Sequence, residues 1–334
     1  MTGAETSDAA RTGRAAPPSR GRLSVAETGL LALAVLGVTA TAPLAASAQA
    51  PALAIAFWRN AAGSAVLLGG LALRRGERRR GERRRGERRR GGRAARLSLL
   101  SGVFLAAHFA TWIPSLTMTS VAASTALVCA TPLWSGLLAR VRGARLGRRV
   151  WAGMALALSG VLLIGGADFT TSPRALTGDA LALTGALCMA AYLAVGESVR
   201  SAVDTATYAA TTYAAAAVAL LVTCLVSGSA LFGYSGRTWL LLAALTVCGQ
   251  LIGHTLFNRA LTRLSGHSVA TLTLLEVPGA ALLAAVWLGQ TPPPAVAAGI
   301  AVVLLGVYVT LSVPAARGRR GGAEGGLNRG AARR

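Results

Sequence analysis

The sequence predicts an all-α integral membrane protein of ten transmembrane helices in two inverted five-helix repeats, with both termini cytoplasmic. Three observations predict it. First, 53% of the 334 residues are hydrophobic and 14% are charged, with a mean hydropathy of +0.54, whereas soluble domains carry about 25% charged residues. Second, the charges sit in short clusters between long apolar runs, and nearly all the arginines fall in alternate gaps. Third, the chain matches itself without gaps at an offset of 146. These exclude an ordinary soluble globular domain and confine disorder to the ends.

A bilayer core about 30 Å thick needs about 20 apolar residues per helix. The first span, 23–45, contains the Gly29–Leu36 apolar run. With Ala48-Gln49-Ala50 behind it, this run also resembles a signal peptide, but cleavage would leave nine spans and remove a helix the repeat requires. The second, 52–73, carries Arg59, and an arginine loop at 74–96 separates it from the third, 97–116. The fourth, 118–140, follows in a tight hairpin at Leu116–Met118; the fifth is 150–168, the sixth 178–198. The seventh, 207–230, is rich in small residues such as Ala214–Val218, which let helices approach closely in lipid. The eighth is 238–262, and the ninth, 266–289, bears Glu276 and Pro278. A second tight hairpin at Gly289–Thr291 leads to the tenth, 291–313. The tails 1–22 and 314–334 are basic, rich in Gly and Ala, and read as disordered.

The net charge of +22 comes from 34 arginines and no lysine. With the N-terminus inside, 31 of the 34 arginines fall in inside segments, and only Arg174 and Arg237 fall outside. Positive residues collect on the cytoplasmic side of membranes, so the charge reads as topology rather than nucleic-acid binding. The Gly-Glu-Arg-Arg-Arg unit repeated three times over Gly76–Arg90 reads as a solvated loop reinforcing that orientation, with anionic headgroups or RNA as its alternative ligands.

At the offset of 146, His108 falls on His254, Thr125 on Thr271, Pro132 on Pro278, Gly143 on Gly289, Gly153 on Gly299 and Gly160 on Gly306. Each half has an odd number of spans, so the second enters the membrane upside down, the architecture of many secondary transporters. Two halves of one fold in opposite orientations can exchange conformations, opening a central site to one side and then the other. Duplication into a static bundle is the structural alternative.

Ionisable side chains deep in lipid are costly unless paired or facing water, so each is a candidate site. Glu276 lies near the middle of the ninth span, and Pro278 can break the helix beside it. It reads as a proton-coupling carboxylate or a ligand for a substrate ammonium, against a structural carboxylate neutralised by a neighbour such as Arg59. Arg59 reads either as a fork for a substrate carboxylate or phosphate, or as an interfacial arginine that snorkels outward. His254, Asn258 and Gln250 are spaced one turn apart on the eighth span and share a face; they line a cavity or glue helices together. The same two readings apply to His108 beside Trp112, and Tyr192 and Glu197 near the end of the sixth span are weaker candidates. Trp58, Trp151, Trp239 and Trp287 lie near span ends, where interfacial anchoring is expected.

Cys129, Cys188, Cys224 and Cys248 lie in apolar runs without metal or redox spacing and read as small buried hydrophobes. The sequence shows no HExxH, Walker A, GxSxG or dinucleotide motif. No metal, cofactor or enzymatic activity is therefore expected, and any active transport must use an ion gradient.

The strings Ala56-Phe57-Trp58-Arg59-Asn60, His108-Phe109-Ala110-Thr111-Trp112, Thr131-Pro132-Leu133-Trp134, Gly253-His254-Thr255-Leu256-Phe257-Asn258-Arg259, Glu276-Val277-Pro278 and Trp287-Leu288-Gly289 resemble the EamA family of the drug/metabolite transporter superfamily. The resemblance covers residues 23–313, with repeats at 23–168 and 178–313. It implies a carrier in the cytoplasmic (inner) membrane that moves small metabolites, often outward, by alternating access, with amino acids or related compounds as the substrate class. Protons are the candidate coupling ion, the bilayer is a partner, and a homodimer stays open. Efflux of cationic drugs is the runner-up, for which an unpaired Glu276 in an aromatic cavity would be the sign. A membrane-embedded enzyme or a scaffold is the alternative from another class. The family commonly closes the fourth and ninth spans with Gly-Glu, where this chain has Gly143-Ala144 and Gly289-Gln290, so any role of those carboxylates is lost here.

Overall fold

The computed structural model describes residues 24–78, 88–119, 121–144, 146–165, 172–200, 202–288 and 294–311. The tails, most of the Gly-Glu-Arg-Arg-Arg run and the turn containing Gly289 and Gln290 lie outside the described residues. Every regular element among the described residues is helical.

The chain begins with α1 (Val25–Thr39), whose N-terminus is closed by a reciprocal capping box between Ser24 and Glu27. A break at Ala40 leads to α2 (Thr41–Ser47). Then come α3 (Ala52–Arg78) and α4 (Arg88–Ser115), and the predicted fourth span is divided into α5 (Val121–Val128) and α6 (Thr131–Val141). The first repeat ends with α7 (Arg148–Gly165).

The second repeat runs through α8 (Pro173–Val199) and α9 (Thr205–Val226), each capped by a side chain, Ser172 and Asp204 respectively. Next is α10 (Gly236–Leu245), which continues as a π-helix over Thr246–His254 and then as α11 (Thr255–Ala260). The predicted ninth span is again divided, into α12 (Gly266–Thr273) and α13 (Glu276–Leu288), before α14 (Pro294–Leu311).

Six stretches among the described residues are long and apolar enough to cross a membrane: Val25–Ser47, Ala52–Leu73, Gly92–Ser115, Pro173–Val199, Thr205–Val226 and Gly236–Ala260. Ala297–Thr310 is a shorter apolar helix. The predicted fourth and ninth spans differ from continuous helices, and proline is the reason. Pro132 has no N–H for the Val128 carbonyl, which instead accepts from the Thr131 hydroxyl at 2.7 Å. In the second repeat the Leu274 carbonyl accepts from Val277 N–H at 3.3 Å, where Pro278 has nothing to donate. Both prolines then sit in the first turn of the following helix, where the missing donor costs nothing.

The packing partners exchange consistently when the repeats are interchanged. The helix pairs α3–α9 and α7–α14 each join equivalent helices, and α4–α8 corresponds to the pairing of the π-helix with α1. The α7–α14 seam is made of the glycines that coincide in sequence. A Cβ on Gly306 would lie 2.6 Å from that of Ala157, and one on Gly160 would lie 2.7 Å from the Val303 nitrogen.

The two ends of the bundle are closed differently. At the arginine-rich end Arg200 donates to the carbonyls of Asn258 (2.9 Å) and Val203 (2.6 Å) and to Thr205. There Glu197 also accepts from the Gly266 N–H at 3.0 Å, and an exposed ion pair joins Arg263 to Glu27. At the other end Trp58 donates to the Leu231 carbonyl at 2.7 Å and meets Phe232 and Trp239 edge to face.

Candidate functional site

Both helix breaks, the α1–α2 break and the π-helix converge on one cavity. Its lining includes Thr41, His108, Trp112, Cys129, Thr131, Met189, His254, Phe257, Thr273 and Glu276, drawn from both repeats. Its volume is about 40 Å³, room for a few water molecules and for no organic solute.

Glu276 is the first residue of α13 and is 8% exposed. A helix N-terminus favours negative charge, and the Thr41 hydroxyl donates to Glu276 Oε1 at 3.2 Å. No cation lies within ion-pair distance of this carboxylate among the described residues. The pairing of Glu276 with Arg59, one of the alternatives raised by the sequence, is therefore absent from this conformation.

Arg59 does not snorkel: it is fully buried. The reason is packing, since its guanidinium lies 4.1 Å above the Phe109 ring and its Nε donates to Gln250 Oε1 at 3.1 Å. Gln250 in turn donates through Nε2 to Asn60 Oδ1 at 2.9 Å, so its amide is oriented from both sides. Neither Nη1 nor Nη2 of Arg59 has a hydrogen-bond partner among the described residues. A buried charge costs several kcal/mol, and a desolvated cation–π contact returns only about 2 kcal/mol. Arg59 thus holds two unsatisfied donors next to the cavity without lining it.

The expected α-helical face of Gln250, His254 and Asn258 takes another form, because Gln250 and His254 lie within the π-helix. The Gln250 carbonyl accepts from the Thr255 hydroxyl (2.9 Å) and from Tyr213 (3.2 Å). Short π segments recur at functional sites. Here the winding directs Gln250 to Arg59, while His254 lines the cavity with Nδ1 unpartnered among the described residues. Asn258 accepts from the Tyr192 hydroxyl at 2.5 Å, so both are buried behind the cavity and outside its lining.

His108 comes from α4. Its Nδ1 faces the Gly185 carbonyl at 2.9 Å, and since a carbonyl only accepts, Nδ1 carries the proton. The ring stacks on Trp112 with centroids 5.7 Å apart and lies 6.5 Å from His254, so the repeat-related histidines meet in space. Trp112 Nε1 has no partner among the described residues.

Of the residues singled out in sequence, Glu276, His254, His108 and Trp112 line the cavity. Arg59, Gln250, Asn258 and Tyr192 form the polar layer behind it, and Pro132 and Pro278 lie at the breaks. Sequence reasoning missed Thr41, Thr131, Thr273 and Phe257, and it read Cys129 only as a small hydrophobe. Cys129 sits at the first break with its Sγ 3.8 Å from the Thr273 carbonyl at the second. The threonine at the first break was a usable signal, because a hydroxyl can take over a carbonyl that proline leaves unpaired, as Thr131 does for Val128.

The comparisons with known proteins agree with this architecture. A family model described as the EamA-like transporter family matches residues 25–166 and again 176–312. One crystal structure of a protein superposes with a TM-score of 0.68 at 20% identity, covering 86% of this chain and 99% of that one, a likeness that shows the fold. No curated protein matches the sequence significantly.

Proposed function

Because the chain belongs to the EamA-like transporter family, of the drug/metabolite transporter superfamily, we propose that it is a secondary active carrier of small organic metabolites. In this reading ten spans form two inverted repeats, 23–168 and 178–313, in the cytoplasmic membrane with both termini inside. The carrier exports amino acids or related amines by alternating access, with proton coupling, and has no enzymatic activity. The observation that carries the reading is Glu276: a buried carboxylate in a cavity drawn from both repeats, hydrogen-bonded by one hydroxyl and without a cation partner among the described residues.

Glu276 is the group for a substrate ammonium or a proton. The unsatisfied fork of Arg59 stands behind His254 and Phe109, within reach of a substrate carboxylate once the cavity expands. A cavity of about 40 Å³ must widen before such a solute can enter. The hydrogen bonds at the arginine-rich end and the Trp58 contacts at the other are then the closures that alternate.

Two observations favour the runner-up, efflux of aromatic organic cations. Glu276 has no cation within ion-pair distance among the described residues, and Trp112, Phe257 and His108 line the same cavity while Arg59 is not in its described lining. Counterflow in proteoliposomes over a panel of amino acids, sugars, nucleosides and cationic drugs separates the readings. Exchange of zwitterions that fails in both Glu276→Gln and Arg59→Met supports the first. Exchange of cations that survives Arg59→Met supports the second, and no counterflow of any solute overturns both.

A further inference from the structure

We propose that Thr41 is a positioning residue that passes the charge state of Glu276 to the break in the first span. The inference rests on the role given to Glu276 above. The Thr41 hydroxyl has one proton and two acceptors: the Val38 carbonyl at 2.6 Å and Glu276 Oε1 at 3.2 Å. An ionised Glu276 can only accept, so it draws that proton with charge-assisted strength, in competition with Val38. A protonated Glu276 instead donates its own O–H to the Thr41 oxygen. The Thr41 proton then goes wholly to Val38. The hydroxyl thus has two arrangements, selected by Glu276.

Val38 is placed to transmit the difference. It is the penultimate residue of α1, just before the break at Ala40, and its side chain lines the cavity. A Cβ on Gly253 would lie 2.6 Å from Val38 Cγ1, and one on Gly37 would lie 3.1 Å from the Gly253 nitrogen. The end of α1 therefore packs closely on the π-helix, with Val38 Cγ1 against Gly253 and Gly37 against the backbone of Cys248 and Gly253. The π-helix carries Gln250, which holds Arg59, and His254, which lines the cavity. A shift at Thr41 accordingly reaches the groups on both sides of the site.

The other ionisable groups around Glu276 are Arg59 on α3, His108 on α4, Cys129 after α5 and His254 on the π-helix. None of them hydrogen-bonds to Glu276 among the described residues. Thr41 is the side chain that does.

The test is infrared difference spectroscopy of the full chain in lipid, titrated with pH. The carbonyl stretch of the protonated Glu276 is identified by its loss in Glu276→Gln. Thr41→Val, which keeps the shape and removes the hydroxyl, is expected to raise the apparent proton affinity of that carboxyl about tenfold, because the bond lost is stronger to the ionised form. It is also expected to shift the band. Thr41→Ser restores both values.

Amide hydrogen exchange on either side of the midpoint reads the coupling itself. The wild type and Thr41→Ser show pH-dependent protection in 34–48 and 246–255, and Thr41→Val does not. A titrating Glu276 band that is the same in Thr41→Val and wild type, or pH-dependent protection that survives Thr41→Val, overturns the proposal for Thr41 alone. The absence of any band lost in Glu276→Gln overturns the proton-coupling role of Glu276, and this inference with it.

Discussion

Replacing Arg59 by methionine separates a functional arginine from a structural one. Methionine keeps an unbranched apolar stem and removes the guanidinium with its charge. The variant loses one hydrogen bond, Arg59 Nε to Gln250, worth about 1.5–3 kcal/mol for a charged donor, and a cation–π contact worth up to about 2 kcal/mol. Against this, the variant is relieved of a buried cation whose Nη atoms have no hydrogen-bond partner among the described residues, a penalty of several kcal/mol. Gln250 keeps its bond to Asn60. The lost contacts, together with a buried Gln250 Oε1 left without its donor, are of the same size as that relief, so the melting temperature in detergent, followed by tryptophan emission, should stay close to that of the wild type. Counterflow of zwitterionic substrate should fall at least tenfold in the same preparation. A fall of many degrees in melting temperature, with counterflow retained by the protein that remains folded, would refute the assignment and make Arg59 a structural cation.

Further outcomes follow from packing and capping. Gly306→Ala pushes a methyl against Ala157 in the α7–α14 seam and should cost about 1–3 kcal/mol, whereas Gly69→Ala, with open space at its Cβ, should stabilise by up to about 1 kcal/mol; paired melting curves check both. Tyr192→Phe removes the donor to Asn258, whose Nδ2 already lacks a partner among the described residues, and should cost about 1–3 kcal/mol in the same assay. Asp204, outside the spans, caps α9. Partial burial pushes its carboxyl up, but hydrogen bonds from Thr207 and Ala206 and the charge of Arg200 hold it below the usual carboxylate range. A depressed carboxyl stabilises above its unfolded value and loses that contribution as pH falls through the folded one. Asp204→Asn should therefore flatten the acid limb of a melting-temperature profile.

Much of the architecture was legible because lipid imposes it. Apolar runs of span length, arginines in alternate gaps and the coincidence of Pro132 with Pro278 and His108 with His254 do not depend on side-chain geometry. Candidate site residues were legible where a residue is chemically out of place in an apolar run, as Glu276 and Arg59 are. What escaped is what hydrophobic patterning does not encode. The π winding of Thr246–His254 adds no polar residue and leaves the apolar run intact. The break at Leu274–Leu275 was signalled by Pro278, but its exact place falls within an uninterrupted Leu-Thr-Leu-Leu string. Thr41 reads as one of many small residues until the tertiary fold brings α13 beside it. Arg59 was ambiguous because depth along a helix does not say which way a long side chain turns, and the ring of Phe109 decides that.

The narrowness of the cavity also sets how far the protein must move. A space of about 40 Å³ holds a few waters and no organic solute, so any solute that reaches Glu276 must first part groups drawn from both repeats. The contacts between those groups are then gone, and the solute's own contacts must replace them.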